Sequence, residues 1–116
     1  MQTYTGGCHC GKVRFEVKMK LEGAIECNCS HCAMQGALLA FVPTKDFSLI
    51  KGEESLKEYR FNKKVIAHLF CEDCGIEPMG RGKGRDGSDM VAVNVRCIDG
   101  IDLTAVNRMP FDGKSL

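Results

Sequence analysis

The sequence predicts an all-β fold, a small sandwich or open barrel of short strands. Apolar residues recur at every second position in several segments, and turn-forming residues separate those segments at short intervals. No window of twelve residues carries a helical stripe. Alternation begins close to the N-terminus. Val13, Phe15, Val17 and Met19 then alternate with Lys12, Arg14, Glu16 and Lys18, the mark of a half-buried strand. Ala37 to Val42 is a short apolar run read as a buried strand, ended by Pro43, with a single helical turn over Thr44 to Phe47. Phe47 to Lys51, Leu56 to Phe61 and Val65 to Phe70 read as three further strands. The turns between them are Gly52 to Ser55 and Asn62 to Lys64. Met90 to Ile98 alternates again, and Ile101 to Val106 is expected to pair near it. The inward residues of these strands are read as core.

At 116 residues the chain fits one domain, spanning 1–116, with no repeat, linker or low-complexity tract. Hydrophobic residues make up 44%, but there is no Trp and only six Phe and two Tyr. A domain this small is near the limit of what burial alone can hold, so a cross-link from metal or disulfide is expected. The N-terminal segment has neither the basic start nor the apolar run of a signal peptide, and no stretch reaches the length of a membrane span. A soluble, cytoplasmic protein with reduced cysteines is the expectation. The formal net charge is +1 and the pI about 7.5, with no basic excess for nucleic acid. Seven thiolates on two zinc ions would take the charge to about −2, further from such a partner.

Eight cysteines are the strongest signal in the chain. They sort into Cys8-His9-Cys10, then Cys27, Cys29 and Cys32, then Cys71-x-x-Cys74, then Cys97. Gly11 and Gly75 follow the first and third groups, where positive φ lets the backbone turn its amides toward sulfur. The economical partition closes one four-thiolate site from Cys8, Cys10, Cys71 and Cys74. Cys27, Cys29 and Cys32 are left as a second site with three protein ligands. The first would pin a small domain, and the second has the ligand count of catalytic zinc. Other partitions remain open on spacing alone. The cysteines could pair as disulfides or hold an iron–sulfur cluster, or Cys97 could complete the three-cysteine site. Cys97 also suits a buried strand position.

Three thiolates on a divalent ion weaken it as a Lewis acid, so it makes hydroxide from water poorly. Such an ion accepts a fourth soft ligand, and a substrate thiolate is the natural one. The residues therefore favour thiol chemistry over hydrolysis.

The order GGCHCGKVRFEV, CNCSHC, FCEDCGIEP and VAVNVRCIDG resembles the glutathione-dependent formaldehyde-activating enzyme family, which includes centromere protein V. The likeness runs from about Tyr4 to Gly113. It implies a small twisted β-sandwich of the β-tent type with two zinc ions. Cys8, Cys10, Cys71 and Cys74 would hold the structural ion, and Cys27, Cys29 and Cys32 the catalytic one. It also implies carbon–sulfur lyase activity on a small thiol adduct, such as forming or cleaving S-hydroxymethylglutathione from glutathione and formaldehyde. The alternative it allows is a non-catalytic zinc module for a protein or nucleic-acid partner.

Among the remaining residues, His31 lies inside the three-cysteine loop and is the candidate catalytic histidine, as proton shuttle or donor to a ligating sulfur. His9 is expected to point outward and His68 to pack in its strand. Asn94 and Arg96 are placed on the strand face opposite Val91, Val93 and Val95, where they could orient a substrate carboxylate. Gly80 to Arg85 reads as a flexible basic loop, and Asp112-Gly113 as a turn.

Overall fold

In a computed structural model of the chain, residues 1–60, 66–84 and 86–112 are described. The strands are β1 (Gln2–Gly7), β2 (Arg14–Met19), β3 (Gly23–Cys27), β4 (Leu39–Pro43), β5 (Phe47–Lys51), β6 (Leu56–Tyr59), β7 (Ala67–Cys71), β8 (Met79–Lys83), β9 (Asp89–Asn94) and β10 (Asn107–Phe111). One short helix, α1 (Ser30–Gln35), interrupts them. They form a three-stranded sheet in the order β1-β2-β5 and a seven-stranded sheet in the order β10-β3-β4-β9-β8-β7-β6.

The alternation on β2 does what the sequence predicts. Phe15, Val17 and Met19 turn inward, while Arg14, Glu16 and Lys18 face outward or to the sheet margin. The inward set meets Val42 of β4, Met79 of β8 and Val91 and Val93 of β9 in one core between the sheets. Phe15 stacks on Phe47 with ring centroids 5.3 Å apart. Burying such a side chain contributes about 1.5–3 kcal/mol.

Glycines fit the chain where the two sheets join. A Cβ on Gly6 would lie 2.3 Å from the Cys97 carbonyl oxygen, so β1 passes close to the turn that follows β9. Gly52 has φ of +93°, and a Cβ there would lie 2.2 Å from the Lys12 carbonyl oxygen. Gly52→Ala should therefore cost roughly 2–4 kcal/mol, from left-handed backbone strain plus overlap. A urea midpoint unchanged by that substitution would contradict the tight approach of β5 to the Lys12–Val13 segment.

Several expectations are corrected. The apolar run 37–42 enters its strand only at Leu39 and runs through Pro43, followed by a 3-10 turn over Thr44–Asp46. The alternation of 90–98 breaks at Asn94. The Asn94 side chain accepts a hydrogen bond from the Arg96 N–H and caps a 3-10 turn, Val95–Cys97. Arg96 and Cys97 thus leave the strand, and Asn94 is buried with the valines. Residues 101–106 include a 3-10 turn over Leu103–Ala105 capped by Asp102. The C-terminal strand is instead β10, parallel to β3. Residues 80–83 belong to β8, not to a loop, while Arg85, the expected turn at 62–64 and Gly113 lie outside the described residues.

Candidate functional site

Two turns of similar build bring four sulfurs together. After β1, the Cys8 N–H donates to the Val13 carbonyl, the Val13 N–H donates to Cys8 Sγ at 3.3 Å, and Gly11 turns through φ of +82°. At the end of β7, the Cys71 N–H donates to the Ile76 carbonyl, the Gly75 N–H donates to the Cys71 carbonyl, and Gly75 has φ of +79°. Lys12 bridges the two turns through a 2.7 Å ion pair with Asp73. Cys8, Cys10, Cys71 and Cys74 place their sulfurs within 4.8 Å of one another. Cys8 Sγ lies 3.6 Å from Cys10 Sγ, and Cys10 Sγ lies 3.7 Å from Cys71 Sγ.

Those separations are far beyond a disulfide bond of about 2.05 Å. A zinc–sulfur bond of about 2.3 Å sets tetrahedral edges of about 3.8 Å, so the donor set fits a four-thiolate metal. Its electrostatics agree. Burial pushes the Cys74 thiol up, but N–H donors from Ile76 and Cys10 and the thiols of Cys71 and Cys8 outweigh it and bring Cys74 down to about 6. Cys10 accepts from the Lys12 N–H, yet burial and its three sulfur neighbours push it up to about 11. Thiolates crowded this closely repel one another, and a cation among them would relieve that repulsion.

The second cluster is organised by α1. Cys29 is the N-cap of this helix, its sulfur accepting the Cys32 N–H at 3.4 Å, and the Ala33 N–H donates to the Cys29 carbonyl. Gly36, at φ of +70°, ends the helix by donating to the Cys32 carbonyl. Cys27, at the end of β3, accepts the Cys29 N–H at 3.5 Å. The three sulfurs lie within 4.8 Å of one another, with no fourth Cys, His, Asp or Glu joining that set among the described residues. Burial works against ionising Cys29, but donors from Cys32, Cys27 and the His31 backbone hold its pKa below the ordinary value. Cys32 is pushed well up by its deeper burial and by the Cys29 sulfur.

A cavity of about 530 Å³ opens against this cluster. Cys27 and Cys32 line it together with Arg96, Asn28, Phe111 and Asp112. The Arg96 Nε donates to the Gly36 carbonyl at 2.9 Å, which sets the plane of its guanidinium. Asn28 ties the C-terminal strand to the cysteine loop. Its N–H donates to the Phe111 carbonyl and its side-chain amide donates to Asp112 at 2.9 Å. A larger groove of about 720 Å³ runs past Lys57, Arg60, Arg81 and Lys83, away from both sulfur clusters. Its cations are interleaved with Glu53, Glu58 and Asp89.

Family membership follows from the match to the glutathione-dependent formaldehyde-activating enzyme model, which spans residues 3–109. The chain belongs to this family. A Rhodobacter sphaeroides protein of known crystal structure is 32% identical, with a TM-score of 0.78, over 90% of this chain and 99% of its own. The glutathione-dependent formaldehyde-activating fold thus accounts for nearly the whole chain.

In this family member the remaining expected site residues separate. His31 does not line the cavity. It sits beside His68 and Glu77, with Tyr59 stacked on its ring at 5.7 Å. Burial holds the His31 pKa below its ordinary value, opposed by Glu77 and reinforced by His68. His68 is buried in β7, and His9 is exposed. Cys97 does not join the three-sulfur cluster. Its thiol faces the Glu77 carbonyl at 3.9 Å, and burial, with Cys8 and Cys74 nearby, pushes it up to about 12. Glu77, Asn28 and Phe111 were not foreseen as site residues. A glutamate between Ile76 and Pro78 in an otherwise apolar tetrapeptide is the one local hint of burial.

Proposed function

We propose that this protein is a zinc-dependent carbon–sulfur lyase acting on the adduct of a small thiol and an aldehyde. S-hydroxymethylglutathione, formed from or cleaved to glutathione and formaldehyde, is the first substrate to try. The observation that carries the reading is the meeting of the Cys27–Cys29–Cys32 cluster with a cavity that also holds Arg96. Family membership supports the substrate class.

Cys27, Cys29 and Cys32 would hold a zinc ion, which when bound would supply a thiophilic acid able to stabilise a substrate sulfur as thiolate. Three protein ligands are the number found at zinc sites that take a substrate ligand. Arg96, its plane set by Gly36, pairs with a substrate carboxylate. Phe111 and Pro110 supply an apolar wall of the cavity. In the cleavage direction the carbon–sulfur bond breaks and sulfur keeps the electron pair. The adduct hydroxyl forms the carbonyl, and its proton passes to water at the cavity mouth. His31 acts indirectly, through a backbone N–H to Cys29 and a side chain anchored beside Glu77, and so positions the cysteine loop.

The test is exchange NMR on glutathione and formaldehyde with the zinc-loaded protein. Interconversion faster than the uncatalysed reaction is expected. No acceleration with glutathione or other small carboxylated thiols would overturn the proposal. Arg96→Ala should raise KM roughly tenfold or more with kcat largely kept, the signature of a lost charged contact used for binding.

A further inference from the structure

Three side chains outside both sulfur clusters converge from separate parts of the chain. His31 comes from α1, His68 from β7, and Glu77 from the segment after the second sulfur turn. Their donor atoms lie within 4.8 Å of one another. His31 Nε2 is 3.4 Å from Glu77 Oε1, and His68 Nδ1 is 3.8 Å from Glu77 Oε2. The two imidazole centroids are 4.1 Å apart. Only 14%, 11% and 8% of the three side chains is exposed.

We propose that His31, His68 and Glu77 form a further metal site, binding a divalent first-row transition ion through two imidazole nitrogens and one carboxylate. Ligands at about 2.0–2.1 Å from a tetrahedral ion are about 3.4 Å apart, which is the His31–Glu77 separation. His68 Nδ1 faces the other carboxylate oxygen, Oε2, at 3.8 Å, so a single ion would be gripped by both Glu77 oxygens or would draw one of them toward both imidazoles. A direct nitrogen–oxygen hydrogen bond is shorter, about 2.7–3.2 Å. The donor set points the same way, because imidazole nitrogens and a carboxylate oxygen together suit a divalent first-row ion.

The frame around the site is fixed. The Glu77 carbonyl accepts from Asn94 Nδ2 at 3.0 Å, and the Asn94 N–H donates to the Pro78 carbonyl at 2.9 Å. Glu77 is thereby held on β9 while His68 is held in the sheet, leaving α1 as the adjustable part. An ion here would lock α1, and with it Cys29 and Cys32, onto β7. Its nitrogen and oxygen donors suit borderline ions such as Zn²⁺, Co²⁺ or Fe²⁺, in contrast to the all-sulfur sets.

The inference does not depend on the proposed reaction, and metal counting tests it. Reduced wild-type protein, Glu77→Gln and His68→Asn are dialysed to equilibrium against micromolar free Co²⁺, and bound cobalt per chain is measured. Each variant should bind one ion fewer than wild type. The sulfur-to-cobalt charge-transfer bands should stay at full intensity, which shows that the thiolate clusters remain folded. Equal cobalt in all three proteins would overturn the site, as would a loss in the variants accompanied by loss of the thiolate bands.

Discussion

Cys71→Ser should unfold the protein at ordinary temperature, and so should stripping metal from the Cys8–Cys10–Cys71–Cys74 cluster with a strong chelator. A structural zinc contributes about 10–16 kcal/mol to the fold that holds it. The whole stability of a domain is about 5–15 kcal/mol. Cys8 follows β1 of the small sheet and Cys71 ends β7 of the large one, so a metal held by these cysteines would join the two sheets. The Lys12–Asp73 ion pair spans the same gap but is exposed, and its contribution is small. Cys71 is fully buried, so a serine hydroxyl there adds an unsatisfied polar group to the lost ligand. Near-UV circular dichroism should show loss of tertiary signal, restored by zinc only in wild type. A chelated protein that keeps its cooperative thermal transition would contradict this.

Cys32→Ser should have the opposite profile, with large loss of turnover and a surviving fold. Changes in the groups that merely support metal ligands cost about 10–100-fold, so losing a ligand should cost at least roughly a hundredfold. The fold should persist because α1 is only six residues long and packs at the edge of β3, while the core is built by β2, β4, β8 and β9. The bond from the Cys32 N–H to Cys29 Sγ and the bond from the Gly36 N–H to the Cys32 carbonyl use only the backbone of residue 32, which serine retains. The check is kinetic assay beside a urea titration of the same sample. Full activity, or unfolding as complete as in Cys71→Ser, would move the working centre elsewhere.

The grouping of the cysteines into a set of four and a set of three was legible in the sequence because cysteine spacing is a local signal. The turn glycines Gly11 and Gly75, the alternation of β2 and the strand Phe47–Lys51 are likewise written in short windows. What could not be read depends on distant partners. α1 is too short for a period and is started by a sulfur cap. β10 is exposed at every residue, so no alternation marks it, and it exists through parallel pairing with β3. Arg96 continues an alternating pattern, yet the Asn94 side chain captures its N–H and turns the chain, carrying Arg96 to the cavity wall. His31 was legible as a residue near the cysteines but not as a neighbour of Glu77, since α1, β7 and the segment after Gly75 meet only in the folded sheet.

The most direct test is an anomalous-scattering map at the zinc edge on crystals of the reduced, zinc-loaded protein, before and after soaking with glutathione. The account predicts an ion held by the sulfurs of Cys27, Cys29 and Cys32, with a fourth ligand that exchanges for the glutathione sulfur. Cys97 or His68 as a permanent fourth ligand would contradict it, and so would a metal-free trio joined by a disulfide.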